Sequence, residues 1–241
     1  MNTNWIKNRR SRRDVVCRVF TIIVLMFVAN TYCFAQSYSE LYPKECSQAK
    51  QFFAEHKNEF EQAGKNAGLS AEFLFAIVAP ELSQFAYLSN KVETYSLKVM
   101  YVQGGKAYAD FSIGFFQMKP SFIEQMENSV AADEDLKAKF SDYLFAEPNS
   151  RQARVSRIDR LNTTEWQLKY LTLFCVLVNK RFASVSFADE EEKLRFYASA
   201  YNAGVHRMEN DIKQIGEKSL FPHFSRQKFR YADVALWFYK N

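Results

Sequence analysis

The carboxyl group of Glu81 is the side chain in this sequence best placed for acid–base chemistry. Glu81 follows Pro80 and the apolar run 73–78, so its carboxyl is expected to be partly desolvated. Desolvation raises the pKa of a carboxyl group, which is what a general acid needs. A proline inside a helix removes a backbone hydrogen bond, so we expect a kink or a helix end here, and such irregularities often occur at functional sites. Taken alone, the pattern also allows an exposed Glu81 beyond a proline kink.

A second segment, residues 112–121, contains a glycine, a glutamine and a proline in the pattern Gly-x-x-Gln-x-x-Pro. Gly114 would let the backbone approach a ligand closely, because glycine has no Cβ. The side-chain amide of Gln117 offers both a donor and an acceptor, which suits a sugar amide or hydroxyl group. The alternative is a turn before a helix that opens at Pro120, with the neighbouring phenylalanines packed in the core.

A third segment, Ala-Tyr-Asn-Ala-Gly at residues 200–204, stands at the expected end of a helix. Tyr201 could serve packing alone, and Asn202 to Gly204 could form a helix C-cap. In combination and in this order, however, the three segments resemble the soluble lytic transglycosylase family. These are lysozyme-like enzymes of peptidoglycan that are related in fold to goose-type lysozyme. Residues 230–234, Arg-Tyr-Ala-Asp-Val, are similar to the C-terminal motif of that family, and the resemblance covers about residues 69–237.

The resemblance implies a mechanism with a single carboxyl group. Glu81 would protonate the leaving glycosidic oxygen and then act as base on the C6 hydroxyl of the same muramic sugar, which yields an anhydro-sugar end. Neither a metal nor a cofactor takes part in this chemistry, and the partner is the glycan strand of peptidoglycan. Tyr231 is implied near the groove, where it would help to orient Glu81. The remaining residues expected to bind substrate are Ser83, Gly114, Gln117, Met118, Tyr201 and Asn202.

A second carboxylate would favour hydrolysis, because most glycosidases use two. Asp110 and Glu93 are the candidates for positioning water, but a loop cap and a helix capping box are the favoured roles for them. The chain departs from the family at Leu82, where relatives carry a serine; Ser83 comes one residue later and points about 100° away on a helix. The alternatives to a transglycosylase are therefore a muramidase and a non-catalytic glycan-binding protein on the same fold.

The net positive charge of the chain comes from its N-terminal segment. The formal net charge is +5, and residues 1–35 carry six basic residues and one acid, so the remaining residues balance at 26 basic and 26 acidic. A basic cluster, an apolar run of 11 residues (19–29) and small residues at the first and third positions before the cut, Ala35 and Cys33, are typical of a secretory signal peptide. We predict cleavage after Ala35 and export to the periplasm or the medium; an uncleaved anchor over residues 15–35 would instead give membrane association. The balanced remainder does not favour nucleic acid as a partner.

Export changes the interpretation of the cysteines. Cys46 and Cys175 remain after cleavage, and in an oxidising compartment they could form one disulfide that closes a long loop. The alternative, equally weighted, is two unpaired thiols. The spacing of cysteines and histidines matches no metal site.

The elements that must position these residues are helices. With 7 glycines and 5 prolines in 241 residues, the chain is too poor in turn residues for an all-β fold. We predict one all-α, lysozyme-like domain over residues 36–241, with at most a minor β element. Segments 106–118 and 148–160 are predicted as loops, the first with short strands as an alternative. The predicted helices cover 44–67 with a stop at Gly68, Ser70 to Val78, Asn90 to Gly105, a helix opened by Pro120, 133–144, a long helix opened by 162–165, Asp189 to Tyr201 with a stop at Gly204, and 231–239.

Overall fold

The described part of the chain folds mostly into helices, which confirms the predicted all-α class. The computed structural model describes residues 36–88 and 91–241, with side chains described outside residues 86–94. About 70% of the described residues are helical, and the small antiparallel sheet among them has two strands. The described helices and strands are α1 (Tyr38–Leu41), α2 (Pro43–Glu55), α3 (Lys57–Ala67), α4 (Ala71–Leu88), α5 (Lys91–Gly104), α6 (Pro120–Ala131), α7 (Glu134–Lys139), α8 (Arg151–Leu161), α9 (Thr164–Arg181), α10 (Glu190–Ala203), α11 (Glu209–Gly216), β1 (Ser219–Phe221), β2 (Phe229–Arg230) and α12 (Tyr231–Lys240), with short 3₁₀ helices at Gly105–Ala107 and Ser141–Tyr143.

The chain divides after Leu41, and residues 42–241 form one compact unit. The described part of the preceding unit is α1, at whose start the N–H of Ser37 donates to the carboxylate of Glu40 at 2.8 Å. The predicted signal peptide, residues 1–35, lies outside the described residues together with its cleavage site and its anchor alternative. Within the described ranges, each helix is too short or too polar to cross a bilayer.

Several helix ends coincide with the capping residues predicted from the sequence. The N–H of Phe73 donates to the hydroxyl oxygen of Ser70 at 3.1 Å, and the N–H of Glu192 donates to the carboxylate of Asp189 at 2.8 Å. Each bond satisfies an N–H that has no partner within its own helix. Gly68 ends α3 with a left-handed φ of +70°, which glycine adopts at little cost. The predicted helix starts at Ser70 and Asp189 and the predicted stop at Gly68 are confirmed.

Three predictions about the elements were wrong. The helix expected over 44–67 is interrupted at His56, which ends α2 and precedes α3. The helix expected over 133–144 is only α7 followed by a 3₁₀ turn. The loop expected over 148–160 is mostly helix α8, which starts where the hydroxyl oxygen of Ser150 accepts the N–H of Ala153. The hairpin β1–β2 and the helix α11 were not predicted.

The helix that carries Glu81, α4, lies at the centre of the unit. It packs against α2, α3, α10 and α12, and its residues 73–79 are buried. The ring of Phe75 stacks on Phe53 with centroids 4.4 Å apart and meets Phe238 of α12 edge-on at 5.7 Å. Because its neighbours surround it, α4 provides a rigid support for the carboxyl group of Glu81.

A buried ion pair joins α6 to α8. Arg157 is 1% exposed, and its Nε and one terminal nitrogen donate to one carboxylate oxygen of Glu127 at 2.8 and 2.6 Å. The hydroxyl of Tyr101 donates to Glu124 at 2.8 Å beside this pair. Burial raises the pKa of the Glu127 carboxyl, and Arg157 opposes that rise. The helix α8 therefore buries a charged residue on its inner side.

The cysteines of the compact unit are free thiols. Cys46 and Cys175 are both buried, and they are not joined. The disulfide alternative is therefore not what the structure shows. Burial raises the pKa of the Cys46 thiol to about 11 and that of Cys175 further still, so both thiols stay protonated and poorly nucleophilic.

Candidate functional site

A cleft of about 950 Å³ opens beside α4, and it gathers residues that are far apart in sequence. Five of the eight predicted site residues line it. They come from α4, from the turn before α6 and from the end of α10: Glu81, Gln117, Met118, Tyr201 and Asn202. The three motifs that the sequence singled out thus meet in one place.

Glu81 lies inside α4 rather than at a helix end, because the helix continues through Pro80 to Leu88. The side chain is partly buried and lines the cleft. Burial raises the pKa of the Glu81 carboxyl to about 7, while the positive charge of Lys119 opposes part of that rise. At neutral pH the group therefore populates both its acid and its base form, which is the property that general acid–base catalysis requires.

Two side chains hold the backbone of α4 next to Glu81. The hydroxyl of Tyr231 donates to the carbonyl oxygen of Ile77 at 3.0 Å, and the hydroxyl of Ser83 donates to the carbonyl oxygen of Pro80 at 2.7 Å. Both contacts fall within one helical turn of Glu81. They fix the segment of helix from which the carboxyl group projects.

Two of the residues predicted to contact substrate are not brought to the lining of the cleft. Ser83 is 2% exposed and Tyr231 is 3% exposed, and neither side chain lines the cleft. Their hydroxyl groups point to backbone carbonyls of α4 instead. Both residues position the helix of Glu81, which agrees with the orienting role expected for Tyr231 but not with direct contact to a ligand.

A third residue predicted to contact substrate, Gly114, is also absent from the lining of the cleft. Its φ is +71°, and a Cβ at this position would overlap the side-chain amide of Gln167 on α9. The glycine is therefore required by the approach of another side chain and by its own left-handed backbone, not by the approach of a ligand.

Gln167 is a residue of the site that the sequence analysis missed. It is buried; its side-chain oxygen accepts the N–H of Phe116 at 2.8 Å, and its side-chain nitrogen donates to the carbonyl of Leu161 at 2.7 Å. The hydroxyl of Tyr201 donates to the carbonyl of Phe116 at 2.7 Å. Helices α9 and α10 thus hold both backbone groups of one residue in the turn. A glutamine among the apolar residues of α9 is the signal that could have found it.

The same turn aims Gln117 and Met118 at the cleft. A pair of backbone hydrogen bonds joins Ile113 to Met118 at 2.9 and 3.1 Å, and Gln117 has a left-handed φ of +51°. The side-chain nitrogen of Gln117 also donates to the carbonyl of Gly114 at 2.7 Å. A non-glycine residue held at positive φ is a strained conformation of the kind found at binding sites.

The second carboxylate of the cleft is Asp110, and it is already engaged. Its two oxygens accept the hydroxyl and the N–H of Ser121 at 2.8 and 3.2 Å, so it caps the start of α6, which confirms the favoured role of a loop cap. The side chain of Glu93 lies outside the described residues. Leu82 is buried and does not line the cleft, so this position offers the cleft no polar group.

Four basic side chains also line the cleft, and none of them was predicted. Lys119 precedes α6, His206 and Arg207 follow α10, and His223 lies in the connection between β1 and β2. Elsewhere in the described chain, the acidic and histidine side chains form no cluster that could hold a metal ion. The cleft therefore brings the carboxyl groups of Glu81 and Asp110 together with amide, aromatic and basic side chains.

No family model, no curated protein and no solved structure matches this chain.

Proposed function

We propose that this protein cleaves the glycan strands of peptidoglycan as a lytic transglycosylase, with Glu81 as its acid and base. The observation that carries the proposal is the environment of Glu81: a partly buried carboxyl group in a large cleft, with a pKa raised to about 7. The family resemblance of the three motifs supports the choice of substrate. A neighbouring carboxylate, Asp110, lines the same cleft but is bonded to Ser121.

The reaction follows from a single carboxyl group that acts twice. Protonated Glu81 donates its proton to the glycosidic oxygen, and the bond from that oxygen to C1 of the muramic sugar breaks. The glutamate carboxylate then removes the proton of the C6 hydroxyl of the same sugar, and O6 bonds to C1. The products are a strand with a free hydroxyl group and a strand with a 1,6-anhydro end; Glu81 regains its proton and no water is consumed.

The other residues of the cleft would hold the sugar. The amide groups of Gln117 and Asn202 can donate to and accept from hydroxyl and acetamido groups. The cleft volume of about 950 Å³ is near the upper end of small-molecule sites, which suits several sugar units in a row.

Two alternative functions would require different features of the cleft. A muramidase needs a carboxylate to direct water, and the engagement of Asp110 with Ser121 disfavours it. A non-catalytic glycan-binding protein is favoured by Leu82, which replaces a polar residue of the family with a buried apolar one.

The products of digestion test the proposal. Purified protein incubated with peptidoglycan sacculi should release fragments with 1,6-anhydro ends, which mass spectrometry separates from reducing ends by the mass of one water. Reducing ends would instead establish a muramidase. If neither kind of fragment is released but the protein still binds sacculi, its role is glycan binding.

The charge of Lys119 should set the alkaline limit of activity. Because Lys119 lowers the pKa of Glu81, Lys119→Gln should raise that pKa further. The acid form would then persist to higher pH, and the alkaline limb of the rate profile should move upward by as much as about one pH unit. Initial rates of cleavage of solubilised strands, measured from about pH 5 to about pH 9, would show this shift.

The control for this prediction is Lys65→Gln, which removes an exposed lysine of α3 outside the cleft. Its profile should coincide with that of the unaltered protein. A limb that moves downward in Lys119→Gln, or stays in place, would contradict the assignment of the limb to Glu81.

A further inference from the structure

Three of the four basic side chains that line the cleft come from the C-terminal part of the chain. His206 and Arg207 follow the Tyr201 end of α10, and His223 enters the same cleft from the β1–β2 connection. We refer to these three residues as the basic wall.

At formal charges the lining of the cleft holds Lys119 and Arg207 against Glu81 and Asp110, with the histidines neutral. The feature that points to an anionic ligand is therefore the guanidinium of Arg207 itself, a cation that can pair with a carboxylate.

The backbone of the basic wall is held in place by contacts that leave the terminal nitrogens of Arg207 unbonded. A terminal nitrogen of Arg181 donates to the backbone carbonyl of His206 at 2.8 Å, and the His206 ring lies over Gly204. Arg207 uses its Nε to donate to the carbonyl of Ala203 at 3.0 Å. Across the described residues, the guanidinium of Arg207 meets no carboxylate within ion-pair distance, and the same is true of both histidine rings.

The connection that carries His223 is anchored in a similar way. The ammonium group of Lys228 donates to the carbonyls of Pro222 and His223 at 2.6 and 2.7 Å. This contact fixes the backbone of His223, a residue that lines the cleft. The basic wall therefore consists of side chains on secured backbone, with polar groups free to meet a ligand.

We infer that the basic wall is a subsite for carboxylate groups carried by the muramic acid units of the substrate. This inference rests on the proposed function, because it names the part of a glycan strand that the wall would bind. A planar guanidinium with unoccupied terminal nitrogens matches a carboxylate through two parallel hydrogen bonds, and imidazole N–H groups can add to them. Sugar rings with only hydroxyl and acetamido groups offer no such charge.

Two carboxylate sources occur on these strands. A peptide stem carries carboxylates along its length, whereas a muramic unit without its stem exposes the carboxylate of its own lactyl group. Uncharged chito-oligosaccharides have neither. The three ligands share their sugar backbone and differ in charge, so together they isolate the part of binding that depends on the basic wall.

The test measures binding by protein that cannot cleave. In a Glu81→Gln background, affinities are measured for stem-bearing strands, for strands trimmed by an amidase, and for chito-oligosaccharides of equal length. Stem-bearing strands should bind more tightly than chito-oligosaccharides, and addition of Arg207→Gln should reduce that ratio about tenfold, as expected for loss of a charge-assisted pair. Lys65→Gln in the same background should preserve the ratio, and added salt should reduce it.

The trimmed strands identify the source of the carboxylate. If they retain the preference, the lactyl group is the ligand; if they lose it, the stem is. Equal ratios in Arg207→Gln and Lys65→Gln would overturn the subsite. Its failure is separable from that of the proposed function, because anhydro products are scored with unaltered protein and binding ratios with protein that does not cleave.

Discussion

Replacement of Glu81 by glutamine should reduce cleavage of peptidoglycan by at least about 100-fold, since positioned proton transfer contributes roughly 10²–10⁴-fold to a rate. Glutamine preserves the shape of the side chain but can neither give up nor take back the proton. The carboxyl group projects from a helix that is packed on several sides, so we expect the fold to be unchanged. Loss of turbidity of sacculi and counts of released anhydro ends measure the effect.

The matched control is Asp110→Asn, which alters the other described carboxylate of the cleft. Asp110 caps α6 through Ser121, so this variant should lose some stability but much less activity than Glu81→Gln. If Asp110→Asn were the more damaging change, or if Glu81→Gln kept more than about a tenth of the activity, Glu81 would not be the acid.

The stability of Glu81→Gln checks that loss of activity is not loss of fold. The folded pKa of Glu81, about 7, is above its ordinary value of 4.5. Folding therefore favours the protonated carboxyl group; this contribution is complete at low pH and is lost as the pH rises through the folded pKa. The variant should consequently be at least as stable as the unaltered protein at pH values above about 7, as thermal unfolding would show.

The largest expected effect on stability comes from the buried pair of Arg157 and Glu127. Arg157→Met should lower the free energy of unfolding by about 3–5 kcal/mol, because it leaves the Glu127 carboxylate buried without its partner. The loss should be greater at neutral than at acid pH, since a protonated Glu127 needs no cation. Urea unfolding at neutral and at acid pH measures the loss of stability and its dependence on pH.

The double variant Arg157→Met with Glu127→Leu separates the charge from the packing. It should recover much of the stability, because replacement of both members of a buried pair by apolar residues is often neutral. A double variant as unstable as Arg157→Met alone would show that shape, not charge, accounts for the effect.

The fold was predictable where its signals were local. Ser70 and Asp189 cap helices through N–H groups three residues away, and Gly68 ends one through its own backbone angle. The helix α8 was missed because Arg157 occupies a buried position, so the hydrophobic pattern that indicates a helix has a charge in it.

The motifs that form the site were predictable from the sequence, but several contacts of their side chains were not. Glu81 and Tyr201 lie in the cleft, but the roles of Gly114 and Tyr231 depend on partners in distant elements, Gln167 and the backbone of α4. No spacing along the sequence reveals such partners. The same limit applies to the basic wall, whose residues reach the cleft from two separate loops.

The bond between Tyr231 and Ile77 also has a consequence for the order of folding. It connects residues 154 positions apart, so it closes a very long loop, and contacts of that range form late compared with the helices themselves. A partly folded chain can therefore carry Glu81 on a formed helix before α12 has docked beside it. In kinetic terms, activity should appear with the slowest phase of refolding rather than with the early gain of helical signal.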